Sequence, residues 1–223
     1  MVISFAICTH NEGHYLSELS ERLNYFINTE REIGSGIDYE VVVLDDYSDD
    51  PYTLDRLRII EETVGFRVYK RKHEGDFSAQ KNTLNGYCRG DWIINLDADE
   101  WLTVDMMHLI PQTILSNDRI DAYWLPRLNV VEGLTEEHIR NWNWRVSKVD
   151  GFDKEVIMWP DPQMRVYRNT TEIYWVNKVH ERLTGFKTFT TFPMEAPYAI
   201  RHIKNILRQE QQNEFYDKIA RGI

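Results

Sequence analysis

Apolar positions along the chain fall into two alternating kinds of segment. Short, nearly uninterrupted apolar runs cover residues 2–8, 39–44, 66–70 and 92–96. That is the pattern of strands buried on both faces. Between them, apolar residues recur three and four apart. Leu16, Leu19, Leu23, Phe26 and Ile27 share one face of a first helix, broken at Gly34-Ser35-Gly36. Residues 54–64 and 78–88 read as two further helices, the latter stopped at Arg89-Gly90. Strands alternating with helices predict a parallel sheet with right-handed crossovers. Such sheets bind ligands outside the carboxyl ends of their strands. Three of the four runs end there in polar clusters: Thr9-His10-Asn11-Glu12, Asp45-Asp46 and Asp97-Ala98-Asp99-Glu100.

Beyond Glu100 the pattern changes. Residues 104–116 read as a helix with Pro111 as a kink. Residues 121–129 read as a strand. Residues 134–144 read as a short helix starting near Thr135-Glu136-Glu137-His138, short of a full capping box. Residues 164–168 and 174–180 are strand-like. Residues 200–220 read as a polar terminal helix, with Ile203, Ile206 or Leu207, and Phe215 on one side. No linker stands out, so residues 1–223 read as a single domain.

Composition narrows the function. The 223 residues suffice for one substantial α/β domain. A net charge of −10 disfavours a non-specific grip on nucleic acid. Cys8 and Cys88 have no metal or redox spacing and read as reduced, packed thiols, which fits the cytoplasm. The first residues lack a basic start and a cleavage site, and no apolar run has membrane-spanning length. A peripheral membrane association stays open.

Asp97-Ala98-Asp99 carries the sharpest chemistry. Two carboxylates one residue apart at the end of an apolar strand repel unless a cation sits between them. Mg²⁺ or Mn²⁺ bound there keeps positions for diphosphate oxygens. Alone, such a motif is most often a solvated acidic turn. Asp45-Asp46 adds acceptors suited to a base N–H and ribose hydroxyls, or forms a turn and helix cap. Thr9-His10-Asn11-Glu12 reads equally as an N-cap. Trp142, Trp144, Trp159 and Trp175 offer faces for sugar rings or for core packing. Arg165, Arg168, Lys178 and Arg182 bind phosphate or balance nearby acids. Arg201, Lys204 and Arg208 have the spacing of one helix face.

Taken in order, Thr9-x-Asn11-Glu12, Asp45-Asp46-x-Ser48, Gln80-Lys81-Asn82, Gly90-Asp91 and Leu96-Asp97-Ala98-Asp99-Glu100 resemble a family 2 glycosyltransferase of the GT-A fold. Gln163-x-Arg165-Val166-Tyr167-Arg168 followed by Val179-His180-Glu181 resembles the branch with the Leu-Asp-Ala-Asp-Glu motif. The resemblance implies an α/β/α sandwich on a mixed, mainly parallel sheet with one antiparallel strand near the acceptor site. It implies a nucleotide-sugar-binding half at about 1–103 and an acceptor-binding half at about 104–223. Thr9, Asn11, Glu12, Asp45, Asp46, Lys81 and Asp97 would bind the nucleotide-sugar. Asp97, Asp99 and His202 would hold Mn²⁺ or Mg²⁺. The reaction implied is inverting transfer from a UDP-sugar, with Glu181, or else Asp161, as general base.

Two other classes stay open. A nucleotidyltransferase would share the sheet and the paired acids, but wants a Gly-rich loop where Thr9-His10-Asn11-Glu12-Gly13 stands. A non-catalytic carbohydrate-binding protein would keep the fold without the base. The acceptor is open between a saccharide, a protein side chain and a modified nucleobase.

Overall fold

The computed structural model describes residues 1–221, with side chains through Glu214. Phe215, expected on the inner face of the last helix, therefore lies outside the described residues. The first half alternates as its pattern requires: β1 (Val2–Thr9), α1 (Gly13–Ile33), β2 (Asp38–Asp45), α2 (Pro51–Ile59), β3 (Arg67–Lys70), α3 (Phe77–Tyr87) and β4 (Trp92–Asp97). A single wide turn of π-helix at Ile60–Val64 closes α2. Then follow β5 (Glu100–Trp101), α4 (Val104–Ser116), β6 (Ala122–Leu125), β7 (Arg127–Glu132), α5 (Glu136–Asn141), β8 (Val146–Val149), β9 (Phe152–Ile157), β10 (Gln163–Arg168), β11 (Tyr174–Val176), β12 (Arg182–Thr184), β13 (Phe189–Thr191), β14 (Ile200–Asn205) and α6 (Ile206–Arg221).

The main sheet has the order β13-β6-β10-β4-β1-β2-β3. Within it β10 alone runs against its neighbours, as the expected single antiparallel strand. Its reversed direction brings the start of β10, with Gln163 and Arg165, to the edge where β4 ends. Alternate residues of β1 serve two cores. Ile3, Phe5 and Ile7 pack with α1 and α4 residues, and Ala6 packs on the other face with Leu84 and Trp175. Burial on both faces is why the run carries almost no polar residue.

A second sheet, β5-β14-β7-β9-β8, packs beside the first. Here the structure corrects three expectations. Residues 200–205 are a strand, not the start of the terminal helix. Their burial alternates, with His202 and Lys204 buried on one face and Arg201 and Ile203 half-buried on the other. So Arg201, Lys204 and Arg208 share no helix face. The expected strand at 121–129 is two strands in two different sheets, broken at Pro126, which has no N–H for a ladder. The capping box of α5 is complete, because His138 stands in for the usual Glu and its Nδ1 accepts from the Thr135 N–H at 3.2 Å. Helix α4 runs on through Pro111. Both cysteines are free, and burial pushes both thiols up to about 12. Among the described residues no helix is long and apolar enough to cross a membrane.

Gly90-Asp91 lies at the far end of the sheet from the acidic clusters. The Asp91 carboxylate accepts from the Val2 N–H at 2.8 Å. Gly90 donates its N–H to Ser4 Oγ at 2.9 Å. A Cβ on Gly90 would come within 2.6 Å of Ser4 Oγ and 2.8 Å of the Ser4 backbone nitrogen. Gly90→Ala should therefore cost about 1–3 kcal/mol, the range for overpacking a tight site. Urea denaturation reads it, and an unshifted midpoint would mean the strands do not approach this closely.

Candidate active site

Register alone gathers the acidic clusters. Thr9 pairs with Asp45 across β1 and β2, and Cys8 pairs with Asp97 across β1 and β4. Above these strand ends lies a cleft of about 840 Å³, walled on the other side by β7, β9, the loop before β12, and α6. Thr9, Glu12, Asp46, Lys81, Asp97, Asp99, Asp161, Glu181 and His202 all line it.

Two expected residues do not. Asp45 is wholly buried beneath the edge and accepts from the Ser48 hydroxyl at 2.5 Å and from its N–H at 3.2 Å. Asn11 turns outward with φ 52° and accepts from the backbone N–H groups of Asp49 and Asp50, each at 3.0 Å. Both shape the loop after β2 and hold it against the loop after β1. Asp46 remains at the cleft, its Oδ1 accepting from the His73 N–H at 2.6 Å. Thr9 is buried there too, and its hydroxyl has no hydrogen-bond partner among the described residues.

Lys81 sits at the centre, its side chain 5% exposed, 2.8 Å from Glu181 Oε1 and 3.6 Å from Asp97 Oδ1. Its ammonium also lies over the Trp175 ring. The flanking motif residues explain how it is held. Gln80 accepts from Arg71 at 2.7 Å. Asn82 pairs with both backbone groups of Trp175, each at 2.8 Å, which fixes β11 against α3. The Phe77 N–H donates to the Lys178 carbonyl at 2.9 Å and brings the loop carrying Glu181 alongside.

Asp97 and Asp99, adjacent in sequence, have different partners. Asp97 Oδ2 lies 2.7 Å from Arg165 Nη2. Burial raises its carboxyl, but Arg165, then Lys81 and Arg127, outweigh that and hold it well below the usual carboxylate range. Asp99 is buried, and its Oδ2 lies 3.4 Å from His202 Nε2 and 3.4 Å from Arg208 Nε. Burial raises the Asp99 carboxyl as well, and His202 together with Lys204 brings it below its ordinary value. Of the three expected metal ligands, the structure brings Asp99 and His202 together and pairs Asp97 with Arg165 and Lys81. Among the described residues no three His, Cys, Asp or Glu side chains form a metal-holding group by themselves. Glu12 does not cap α1; its carboxylate pairs with Arg208 instead.

Asp161 is saturated. Its Oδ2 accepts from Arg127 Nη2 at 2.7 Å, Arg127 Nε at 2.9 Å and Asn129 Nδ2 at 2.7 Å, and its Oδ1 accepts from Gln163 at 3.0 Å. Burial raises this carboxyl, and Arg127 and Asn129 bring it below its ordinary value.

Sequence reasoning missed Arg127, Asn129, His73 and Trp124, all of which line the cleft. Arg127 and Asn129 alternate along a strand that had been read as running to residue 129, so their shared face was the available signal. Arg165 turns out to balance acids, while Arg168 is structural, donating to the Ile120 carbonyl at 3.1 Å. Of the tryptophans, Trp144 and Trp175 line the cleft, Trp142 packs on Trp144, and Trp159 packs on the core of the second sheet.

The family model described as glycosyl transferase family 2 matches residues 4–171, three-quarters of the chain. The chain belongs to glycosyl transferase family 2. It is 32% identical over 128 residues to an uncharacterized glycosyltransferase of Rickettsia bellii (strain RML369-C). That match takes in 56% of this chain and 38% of the relative, so the chain spans well under half the relative's length. The fold is similar to S. aureus TarS 1-349 in complex with UDP-GlcNAc, with a TM-score of 0.62 and 17% identity over 92% of this chain and 59% of that one. TarS 1-349 in complex with UDP aligns with a TM-score of 0.61 and 17% identity over 99% of this chain and 64% of that one. The architecture is GT-A.

The state of Asp161 makes a pH prediction. Its folded carboxyl lies below its unfolded value of about 3.9. Its contribution to stability is thus fully present above that value and is lost as pH falls through the folded one. The stability gap between the parent and Asp161→Asn should hold steady from about pH 8 to about pH 5 and shrink on further acidification. Urea denaturation across that range checks it, and a gap that widens in acid would contradict the assigned pairing.

Proposed function

We propose that this cleft binds a nucleoside diphosphate sugar, with UDP as the nucleotide, and transfers the sugar to an acceptor nucleophile with inversion. The observation that carries the reading is the meeting of two pairs in one cleft: Asp99 with His202, and Lys81 with Glu181. Family membership supports the reaction class, and the UDP and UDP-GlcNAc complexes of the TarS fold support the donor. Thr9, Glu12 and Asp46 supply the nucleoside side of the cleft. Trp144 and Trp124 line its other wall and favour a saccharide acceptor.

A carboxylate oxygen and an imidazole nitrogen 3.4 Å apart form a donor set that fits Mn²⁺, or Mg²⁺ with more water. With two protein ligands, the remaining positions fall to diphosphate oxygens and water. Such a metal ion would neutralise charge on the departing diphosphate. Asp97 is left to meet the sugar, oriented by Arg165.

Glu181 is the base. The acceptor hydroxyl gives its proton to Glu181 as its oxygen bonds to the anomeric carbon. The bond from that carbon to the diphosphate oxygen breaks, and its electron pair leaves with UDP. Lys81 holds Glu181 at 2.8 Å until a donor phosphate competes for the ammonium. Asp161 is the poorer base, because four donated hydrogen bonds already occupy its oxygens.

Two variants test these roles. Asp99→Ala should abolish turnover and the Mn²⁺-dependent part of UDP binding, with the fold retained. If the variant and EDTA-treated parent both transfer at the parent rate, the metal role fails. Glu181→Gln should keep UDP-sugar affinity and lose transfer by about 10²–10⁴-fold, the usual cost of removing a general base. An active Glu181→Gln beside a dead Asp161→Asn would exchange the assignment.

A further inference from the structure

Asn129 lies between a candidate metal ligand and a carboxylate that the proposed reaction does not use. We infer that Asn129 is a positioning residue that fixes the tautomer of His202 and turns a bare Nε2 toward Asp99. The inference rests on the reading of Asp99 and His202 as metal ligands.

Asp161 Oδ2 receives two guanidinium N–H groups of Arg127, so the carboxylate is ionised and can only accept. The Asn129 amide atom 2.7 Å from that oxygen must therefore be its NH₂ group. The reverse orientation would set a carbonyl against a carboxylate, two acceptors with no hydrogen between them. Asn129 is 7% exposed, so little water is present to screen that repulsion. The carbonyl end of Asn129 then lies 2.7 Å from His202 Nδ1. A carbonyl cannot donate, so Nδ1 carries the hydrogen. In the neutral ring the lone pair is then on Nε2, 3.4 Å from Asp99 Oδ2. Two lone-pair atoms at that separation suit a shared cation.

The contact is set by the sheet, since His202 and Asn129 are register partners across parallel β14 and β7. Asp161, considered above as a base, acts here through Asn129. Metal-binding histidines generally owe their orientation to such a second contact, whose loss weakens binding about 10–100-fold.

Two measurements test the inference on the metal-free chain, without substrate. The first is nitrogen NMR of ¹⁵N-histidine-labelled parent near pH 9, with His202 identified by its absence in His202→Gln. Nδ1 should read as protonated, and a bare Nδ1 overturns the inference. The second is Mn²⁺ titration followed by electron paramagnetic resonance. Asn129→Leu should bind Mn²⁺ about 10–100-fold more weakly. Its His202 signal should move toward a mixture of tautomers, which a merely structural defect would not produce. Unchanged Mn²⁺ affinity in Asn129→Leu, with weakened affinity in His202→Gln, removes the role of Asn129 and leaves the metal site standing. Unchanged affinity in His202→Gln removes both. The parent NMR measurement decides the tautomer even if Asn129→Leu does not fold.

Discussion

The carboxylate of Glu100 has no exposed surface and accepts from two guanidinium groups, Arg165 and Arg127, each at 2.7 Å. Arg165 stands on β10 of the main sheet, and Arg127 on β7 of the second. A buried charge without partners costs several kcal/mol, so Glu100 sits where both guanidinium groups reach it. That requirement fixes how the two sheets meet. It also sets the site, because Glu100 is the residue after Asp99, and Arg165 and Arg127 continue outward to Asp97 and Asp161. The contacts run on through Asn129 and His202 back to Asp99. Glu100, Asp161 and Asp99 thus stand on one ring of partners that crosses both sheets and closes through the Asp99–Glu100 peptide, with Asp97 joined to it through Arg165.

This ring gives neighbouring carboxylates different work. Asp97 and Asp99 leave the same strand end, yet Asp97 holds Arg165 at 2.7 Å while Asp99 meets His202 and Arg208 at 3.4 Å each. A carboxylate held by a close guanidinium has less freedom to bind a cation than one whose partners stand farther off. The same contrast separates the two acceptor-side acids. Asp161 is bound on both oxygens, whereas Glu181 pairs with Lys81, which in the proposed reaction a donor phosphate draws away.

The strand ends were legible in the sequence because burial on both faces forces near-continuous apolar runs, and polarity then returns abruptly at the edge. That signal located Thr9, Asp46, Asp97 and Asp99. It could not separate the residues that face the cleft from those that build its loops, since Asn11 and Asp45 are as polar and as close to the edge. Their roles depend on Ser48, Asp49 and Asp50 folding back over them, a turn geometry that periodicity does not encode. The second sheet was largely illegible. β5 is only two residues long, β8 and most of β9 are not buried, and Ile200-Arg201-His202-Ile203-Lys204 alternates by two in a stretch that also satisfies a polar helix. Arg127 and Asn129 escaped notice because their importance comes from the register of β7 beside β14, a pairing across some seventy residues of chain.

Net charge misleads in the same way. A total of −10 predicts repulsion of anions. Among the described residues the cleft is lined by six carboxylates and by six Lys or Arg side chains: Glu12, Asp46, Asp97, Asp99, Asp161 and Glu181 against Lys81, Arg127, Arg165, Arg182, Lys204 and Arg208. Inside roughly a Debye length of 8–10 Å this local balance, and not the total, sets the field on a ligand. Several of these cations already have partners, and Lys204 donates to Gln212 Oε1 at 2.7 Å in a partly buried contact. Burial lowers the Lys204 ammonium below its ordinary value, and Asp99 works against that fall. Among the described residues, a lining so balanced has no large excess of either sign. An incoming diphosphate dianion must therefore bring a cation with it or take one from a resident carboxylate. In the proposed reaction Asp99 with His202 serves the first route, and Lys81, which lies between Glu181 and Asp97, serves the second.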